Sequence, residues 1–346
     1  MDNDRQMHDG DTRPSPTIDR QNQVDRLWDH LEATLPRFEA LPGVVGVTLN
    51  GGISRGYGDE LSEIDVTLYL TDTVHEAWVA GRAPIATGIT VVDGQLYDIA
   101  VERIEAVEEG TWSETEQWDR SYAEILSDPD GRLAATFDEH LGSPPGLDHA
   151  EGLLFDCWWH FELATTCWVH RRDAVQAHYV LSGAVEPLIK SLFAVNEAYL
   201  PHEKWLVNLS RSLSWRPDDW ETRLQSAIAT GDGSMETVHE RRDVIASLWD
   251  DVDRYARKQA DEDVPVRWMQ RTFYRALSSL VESEQVPYEK WDAAFGGGLL
   301  AMDPFASVAR LDGDTVSLDE TALDELTADE LYDWHYQVVE AVSDRN

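Results

Sequence analysis

The stretch Leu49-Asn50-Gly51-Gly52-Ile53-Ser54-Arg55-Gly56-Tyr57-Gly58-Asp59-Glu60-Leu61-Ser62-Glu63-Ile64-Asp65-Val66 joins a glycine turn to two carboxylates that alternate along an apolar segment. The run before it, Val44 to Leu49, is short and apolar and predicts a strand that the two glycines end abruptly. Downstream, Ile64-Asp65-Val66-Thr67-Leu68-Tyr69-Leu70 predicts a second strand, so that Glu63 and Asp65 share one face with Cα atoms about 7 Å apart. Two carboxylates so placed call for a cation. Arg55 and the amides beyond Gly52 are suited to hold anionic oxygens. The acid pair alone says little, because with 66 Asp and Glu in 346 residues, carboxylates two positions apart arise by chance roughly a dozen times. The information lies in the order: a strand, Gly-Gly, a ten-residue spacer containing Arg-Gly, then acid-apolar-acid-apolar entering a strand.

At these residues the chain resembles the nucleotidyltransferase superfamily that includes the aminoglycoside and lincosamide adenylyltransferases and the minimal nucleotidyltransferases. Gly51 and Gly52 match the first half of the shared pattern, Glu63 and Asp65 the second, and Ser54-Arg55-Gly56 stands where the family has Ala-Arg-Gly. Glu63 departs from the commoner Asp, but its longer side chain still reaches a metal. The likeness is nearest to an uncharacterised branch with Gly-Gly-x-x-Arg-Gly-Tyr and a helical C-terminal half.

The resemblance implies a third carboxylate on a later strand. The segment Ile89-Thr90-Val91-Val92-Asp93-Gly94-Gln95-Leu96-Tyr97-Asp98-Ile99-Ala100-Val101-Glu102 predicts two strands joined by an Asp93-Gly94 hairpin turn. Asp98, Ala100 and Glu102 share a face; the family pattern favours Asp98, with Glu102 as the alternative. It also implies an NTP substrate, AMP as the group moved to a hydroxyl acceptor, and two Mg²⁺ ions held by Glu63, Asp65 and Asp98. Gly51, Gly52, Ser54 and Arg55 would orient the phosphates.

Lysine is rare here, and two of the four lysines, Lys190 and Lys204, lie between Glu186 and Trp205, a segment that ends in Asn196-Glu197-Ala198-Tyr199-Leu200-Pro201-His202-Glu203-Lys204-Trp205. A similar Asn-x-x-Tyr-x-Pro-x-x-Lys-Trp stretch follows the long helix in the resembling branch. The resemblance implies that Lys190 and Lys204 reach the triphosphate, where a compact ammonium acts as a point charge. The plainer reading is that they pair with Glu186, Glu197 or Glu203 on a helix surface. His160, His170 and His178 lack the spacing of a helical zinc site.

The coarse pattern predicts an α/β N-terminal nucleotidyltransferase domain with a mixed β-sheet, followed by an all-α C-terminal domain. The expected boundaries are a flexible tail over 1–21, the nucleotidyltransferase domain over 22–110, a helical connector over 111–147 and a helical domain over 148–346. Val24 to Leu41 has helical periodicity, a helix is expected around Val74 to Ala80, and Glu114 to Leu126 and Arg132 to Leu141 read as helices. Beyond His149 the pattern is almost entirely helical, including Val238 to Tyr255, Trp268 to Glu282 and Leu323 to Val342 with its stripe of Leu331, Trp334, Val338 and Val342. Met1 to Gln21 has no apolar core of a signal peptide, and no run approaches a membrane span. Cys157 and Cys167 read as buried thiols of a reducing compartment, the cytoplasm.

The acceptor is open at this level. A small molecule is favoured, a large polyanion such as RNA is disfavoured by the lack of a basic stripe, and transfer to a protein, such as a toxin partner, is a third option. A nucleotide-binding regulator without chemistry is the alternative of a different class. The formal charge of -38 beside only four lysines is a haloarchaeal-type, halophilic composition whose self-repulsion is relieved by salt. The fold is therefore expected to loosen below about molar salt; circular-dichroism melts of equal midpoint at low and high KCl would contradict this.

Overall fold

The computed structural model describes residues 13–260, 268–283, 285–301 and 305–325. An apolar stripe makes the first helix, α1 (Val24–Glu39), which buries Leu27, Leu31, Thr34 and Phe38. The strands β1 (Val44–Leu49) and β2 (Ile64–Leu70) follow as the pattern predicts, separated by a single helical turn, α2 (Gly51–Ser54). Then come α3 (Asp72–Ala77), β3 (Gly88–Val92) and β4 (Gln95–Arg103). The Asp93-Gly94 hairpin forms, both residues taking positive φ (48° and 88°), as a two-residue turn matched to strand twist requires. Beyond it lie α4 (Ile104–Glu109), α5 (Glu114–Tyr122), β5 (Glu124–Ser127) and α6 (Arg132–His140). Ser113 starts α5 through a capping box with Glu116.

The sheet runs β3-β4-β2-β1-β5. Only β2 and β4 are parallel; the other pairs are antiparallel, so the sheet is mixed. Its two faces differ in chemistry. One carries Val47, Leu49, Val66, Leu68, Tyr97 and Ile99, which join Leu27, Leu31 and Phe38 of α1 in a single core. On the other face, Tyr69 near the end of β2 packs with Ile104, Val107, Trp112, Leu133 and Phe137. The opposite end of that second face, near the start of β2, holds Asp65.

The structure differs from expectation at several points. The helix expected to Leu126 stops at Tyr122, and Glu124–Ser127 becomes β5, pairing antiparallel with β1. That fifth strand satisfies the backbone groups of a β1 edge that would otherwise lie open. Residues 111–146 therefore do not stand apart as a helical connector. The expected flexible tail is held over its described portion: Tyr122 Oη donates to the Pro14 carbonyl (2.6 Å), while the Ser15 and Thr17 amides donate to Ser212 Oγ (2.9 Å) and Asn208 Oδ1 (3.0 Å). Asn208 Nδ2 returns a bond to the Thr17 carbonyl (2.8 Å). Cys167 is exposed rather than buried, unlike Cys157. Residues 1–12 and the stripe Leu331, Trp334, Val338 and Val342 lie outside the described residues.

The described residues fall into two compact units, drawn from Met1–Gly146 with Leu192–Arg216 and from Leu147–Ser191 with Pro217–Asn346. The segment 192–216, expected in the helical domain, thus groups with the first unit. From α7 (Leu147–Trp158) the chain continues through α8 (Thr165–His170), α9 (Ala174–Ser182) and α10 (Val185–Val195) to α11 (Glu203–Ser210). It then forms α12 (Trp220–Ile228), α13 (Met235–Gln259) and α14 (Trp268–Ser283). The second unit is helical, as expected, with one addition. A small sheet of order β6-β8-β7 is made by β6 (Gln285–Pro287), β7 (Ala309–Asp312) and β8 (Thr315–Leu318). With α15 (Tyr288–Phe295), α16 (Phe305–Val308) and α17 (Glu320–Glu325) it encloses a core around Trp291, Phe305 and Val316. Among the described residues, no helix is long and apolar enough to cross a membrane.

Inside the second unit, Arg241 of α13 is buried, and among the described residues its hydrogen-bond partners are neutral. Its Nε donates to the Ala227 carbonyl (3.0 Å), Nη2 to Ser182 Oγ (3.2 Å) and Nη1 to His178 Nδ1 (2.9 Å). Because Arg241 only donates, His178 accepts at Nδ1 and is neutral, its pKa lowered by burial and then by the arginine's charge. Arg241→Ala leaves these acceptors without their donor, and is expected to cost roughly 2–4 kcal/mol. An unchanged midpoint in denaturant titration would contradict that.

Candidate active site

The site is assembled at the point where β1 gives way to α2. Asn50 is extended and sews β1 to β2: its amide donates to the Asp65 carbonyl (2.9 Å) and its Nδ2 to Thr67 Oγ1 (2.6 Å). Gly51 then takes φ +70°, a left-handed conformation that glycine adopts without strain. The space around it is decisive. A Cβ at Gly51 would lie 1.8 Å from Asp65 Oδ2, and one at Gly52 would lie 2.9 Å from the Tyr57 carbonyl oxygen. The Asp65 carboxylate therefore lies directly against the turn, and the first glycine is required by that contact. Ser54 Oγ donates to the Gly51 carbonyl (3.0 Å) and closes the turn.

Asp65 and Asp98 are register partners on the parallel strands β2 and β4, so their side chains leave the same face with Cα atoms about 4.8 Å apart. Glu63 precedes Asp65 by two residues. Burial pushes the Asp65 carboxyl up to about 6, with the charges of Glu63 and then Asp98 adding to the effect, Arg55 opposing it and Asp119 reinforcing it. The four acidic groups thus crowd one locality, and Arg55 acts against their mutual repulsion. Such an all-oxygen donor set suits a hard divalent cation. Among the described residues, no group of three or more His, Cys, Asp or Glu side chains is already gathered as a metal cage, so binding would require these side chains to close together.

Glu102, the alternative third carboxylate, is engaged elsewhere. It is the register partner of Tyr69 and accepts from Arg120 Nη2 (2.9 Å), whose guanidinium lies 4.2 Å from the Trp112 ring centroid. Asp98 is the acidic residue beside Asp65.

Arg55, expected at the phosphates, follows the turn. Its side chain is enclosed, ion-paired with Asp119, with its guanidinium carbon 4.2 Å from the Trp118 ring, 5.6 Å from Trp205 and 5.7 Å from Tyr122. Its Nε is buried without a partner. Desolvation lowers its pKa, and Asp119 opposes that shift most strongly. Asp119 itself carried no sequence signal: it sits on an ordinary polar helix, α5, and only the fold brings it toward Asp65. Lys190 belongs to the second unit and pairs with Glu186 four residues earlier (2.7 Å), the plainer reading. Lys204 is exposed at the start of α11 in the first unit; burial lowers the pKa of His202, and the charges of Arg55 and then Lys204 lower it further, while its ring packs edge-on to Trp118. A groove of about 620 Å³ is bounded by Phe38 and Leu41 at the end of α1, by Ile85, and by Thr90, Val91 and Val92 of the edge strand β3.

No protein-family model matches the chain, and no curated protein matches it. Among solved structures, it is similar to a nucleotidyltransferase-like protein from Exiguobacterium sibiricum 255-15, at 9% identity over 84% of this chain and 97% of that chain, with a TM-score of 0.38. A likeness at that level adds no argument to the geometry above.

The raised Asp65 carboxyl has a stability consequence without divalent cations. Its folded pKa of about 6 exceeds the ordinary 3.8, so the folded state binds this proton more tightly than the unfolded chain. Its destabilising effect is full above about pH 6 and disappears as pH falls toward 4. Asp65→Asn is expected to melt roughly 2–5 °C higher than the parent at pH 7.5 in EDTA, with the gap closing at pH 4. Calorimetry showing no gap at the higher pH would oppose the assignment.

Proposed function

We propose that the first unit transfers a nucleoside monophosphate, with AMP favoured, from an NTP to a hydroxyl acceptor in a divalent-cation-dependent reaction. The observation that supports this reading is the register pairing of Asp65 with Asp98 on parallel strands, directly against the Gly51 turn. Glu63, Asp65 and Asp98 would hold Mg²⁺, two ions in the full reading, which supplies charge neutralisation for the triphosphate and its leaving group. The remaining work falls to the chain. The Gly51-Gly52 turn, with no side chain of its own, would let backbone amides approach the phosphates, with Ser54 beside them. Lys204, exposed in this unit, adds a point charge for the same anion.

In the reaction, the acceptor oxygen forms a bond to the α-phosphorus while the bond from that phosphorus to the bridging oxygen breaks and pyrophosphate leaves. Asp98 takes the proton of the attacking hydroxyl. Positioning and electrostatics supply most of the acceleration. Arg55 is enclosed, so its part is to hold Asp119 and to offset negative charge near Asp65 rather than to grip the nucleotide. Lys190, paired with Glu186, has the weaker claim on the triphosphate.

A small molecule is the favoured acceptor, because a chain of charge -38 repels polyanions such as RNA. Incubation with each α-labelled NTP, Mg²⁺ and host extract in molar KCl tests the reading, and a labelled small molecule, RNA or protein identifies the acceptor class. Asp65→Asn is expected to lower transfer at least ~100-fold while keeping the circular-dichroism spectrum. Full activity in that variant would refute the site, and nucleotide binding without any transfer by the parent would favour a regulator. Lys204→Ala is expected to raise the apparent NTP constant about three- to tenfold with the maximal rate held; an unchanged constant would remove Lys204 from the nucleotide.

A further inference from the structure

The carboxylate face of the sheet continues past Asp98 onto its edge strand, and there it changes character. Ile89 of β3 is the antiparallel register partner of Asp98, and Val91 is the partner of Leu96. Partners across an antiparallel pair leave the same face, so Ile89 and Val91 stand on the Asp65–Asp98 face. Both are widely open to solvent, at 71% and 65% exposure. Along β4, Leu96 and Ala100 flank Asp98 on that face, and Ala100 is exposed too. Asp98 therefore has an acidic neighbour on one side and a bare apolar strip on the other.

The strand order gives this strip a meaning. Reading across the sheet from β1 to β3, the face presents the Gly51 turn, then Asp65, then Asp98, then Ile89 with Val91. In-line displacement at phosphorus requires the entering oxygen and the departing pyrophosphate on opposite sides. With the phosphates held at the turn, the acceptor approaches from the β3 side. We infer, on the basis of the nucleotidyl-transfer reading above, that Ile89 and Val91 form the acceptor wall, and that the acceptor is a small neutral alcohol with an aromatic or aliphatic face beside its reacting hydroxyl. Polyhydroxylated and polycationic acceptors meet no partner on this strip, since two branched aliphatic side chains offer neither acceptors nor charge. Water is removed from both the strip and the apolar part of the acceptor when they meet, which favours the alcohol over solvent as nucleophile.

The test uses the full chain in molar KCl with two neutral probes, benzyl alcohol and glycerol. In methyl-labelled protein, the Ile89 and Val91 methyl resonances are expected to shift with benzyl alcohol and to stay still with equal glycerol. With α-labelled ATP and Mg²⁺, label is expected to pass to benzyl alcohol about 10-fold faster than to glycerol. The double variant Ile89→Ser/Val91→Ser is expected to erase that preference, bringing transfer to benzyl alcohol down to the glycerol rate while the circular-dichroism spectrum is kept. Equal transfer to the two probes, methyl shifts located elsewhere, or an unaltered preference in the double variant would overturn the inference. Methyl shifts at Ile89 and Val91 without cleavage of ATP in any mixture would support an apolar binding strip and refute the transfer reaction instead.

Discussion

At Gly51 the backbone has no room for a side chain because Asp65 already occupies the space. This one contact ties the turn after β1 to the start of β2, and the candidate chemistry depends on it. Were the turn wider, the carboxylate would be separated from the amides that face the phosphates in the proposed reaction. Were β2 displaced by a single residue, its alternation would send Asp65 into the aliphatic core and bring Val66 to the site face. Asn50 guards against that slip, since its amide and side chain bond to Asp65 and Thr67 of the neighbouring strand.

The sheet supports this contact by being two different surfaces. On the α1 side it is uniformly apolar and fixed by packing. On the other side, α4 and α6 cover the end near Tyr69 and leave the end near Asp65 uncovered by that core. Buried carboxylates of like sign are costly, and the crowding that raises the Asp65 pKa is a local strain that the large core on the opposite face sustains. A cation at that point would reverse the sign of the interaction, turning repulsion into coordination.

Much of this was legible from residues whose patterns are local. The β1–turn–β2 arrangement followed from apolar runs broken by Gly51-Gly52, and the β3–β4 hairpin followed from Asp93-Gly94, where one turn type demands positive φ twice. The choice between Asp98 and Glu102 was not local. Both lie on one face of β4, and only the register with β2 and the tether from Arg120 to Glu102 separate them. Arg55 shows the same limit: beside a glycine turn an arginine suggests an anion, and nothing local indicates that Trp118, Tyr122 and Trp205, distant in sequence, converge to enclose it. β5 escaped notice because four residues at the end of a helical pattern carry too little alternation to declare a strand. The strands β6–β8, three or four residues each, were hidden in the same way.

The extended segment from Pro14 to Thr17 is bonded to Tyr122, Asn208 and Ser212, so the first unit is knotted together by chain positions almost two hundred residues apart. During synthesis this imposes a schedule. The five-stranded sheet, and with it the Tyr122 bond to Pro14, can form once β5 has left the ribosome, but Ser15 and Thr17 must wait for their partners until residue 212 emerges. A ribosome stalled between β5 and α11 would thus carry a sheet whose amino-terminal segment is only partly tied down, and protease cleavage there would report how far translation had advanced.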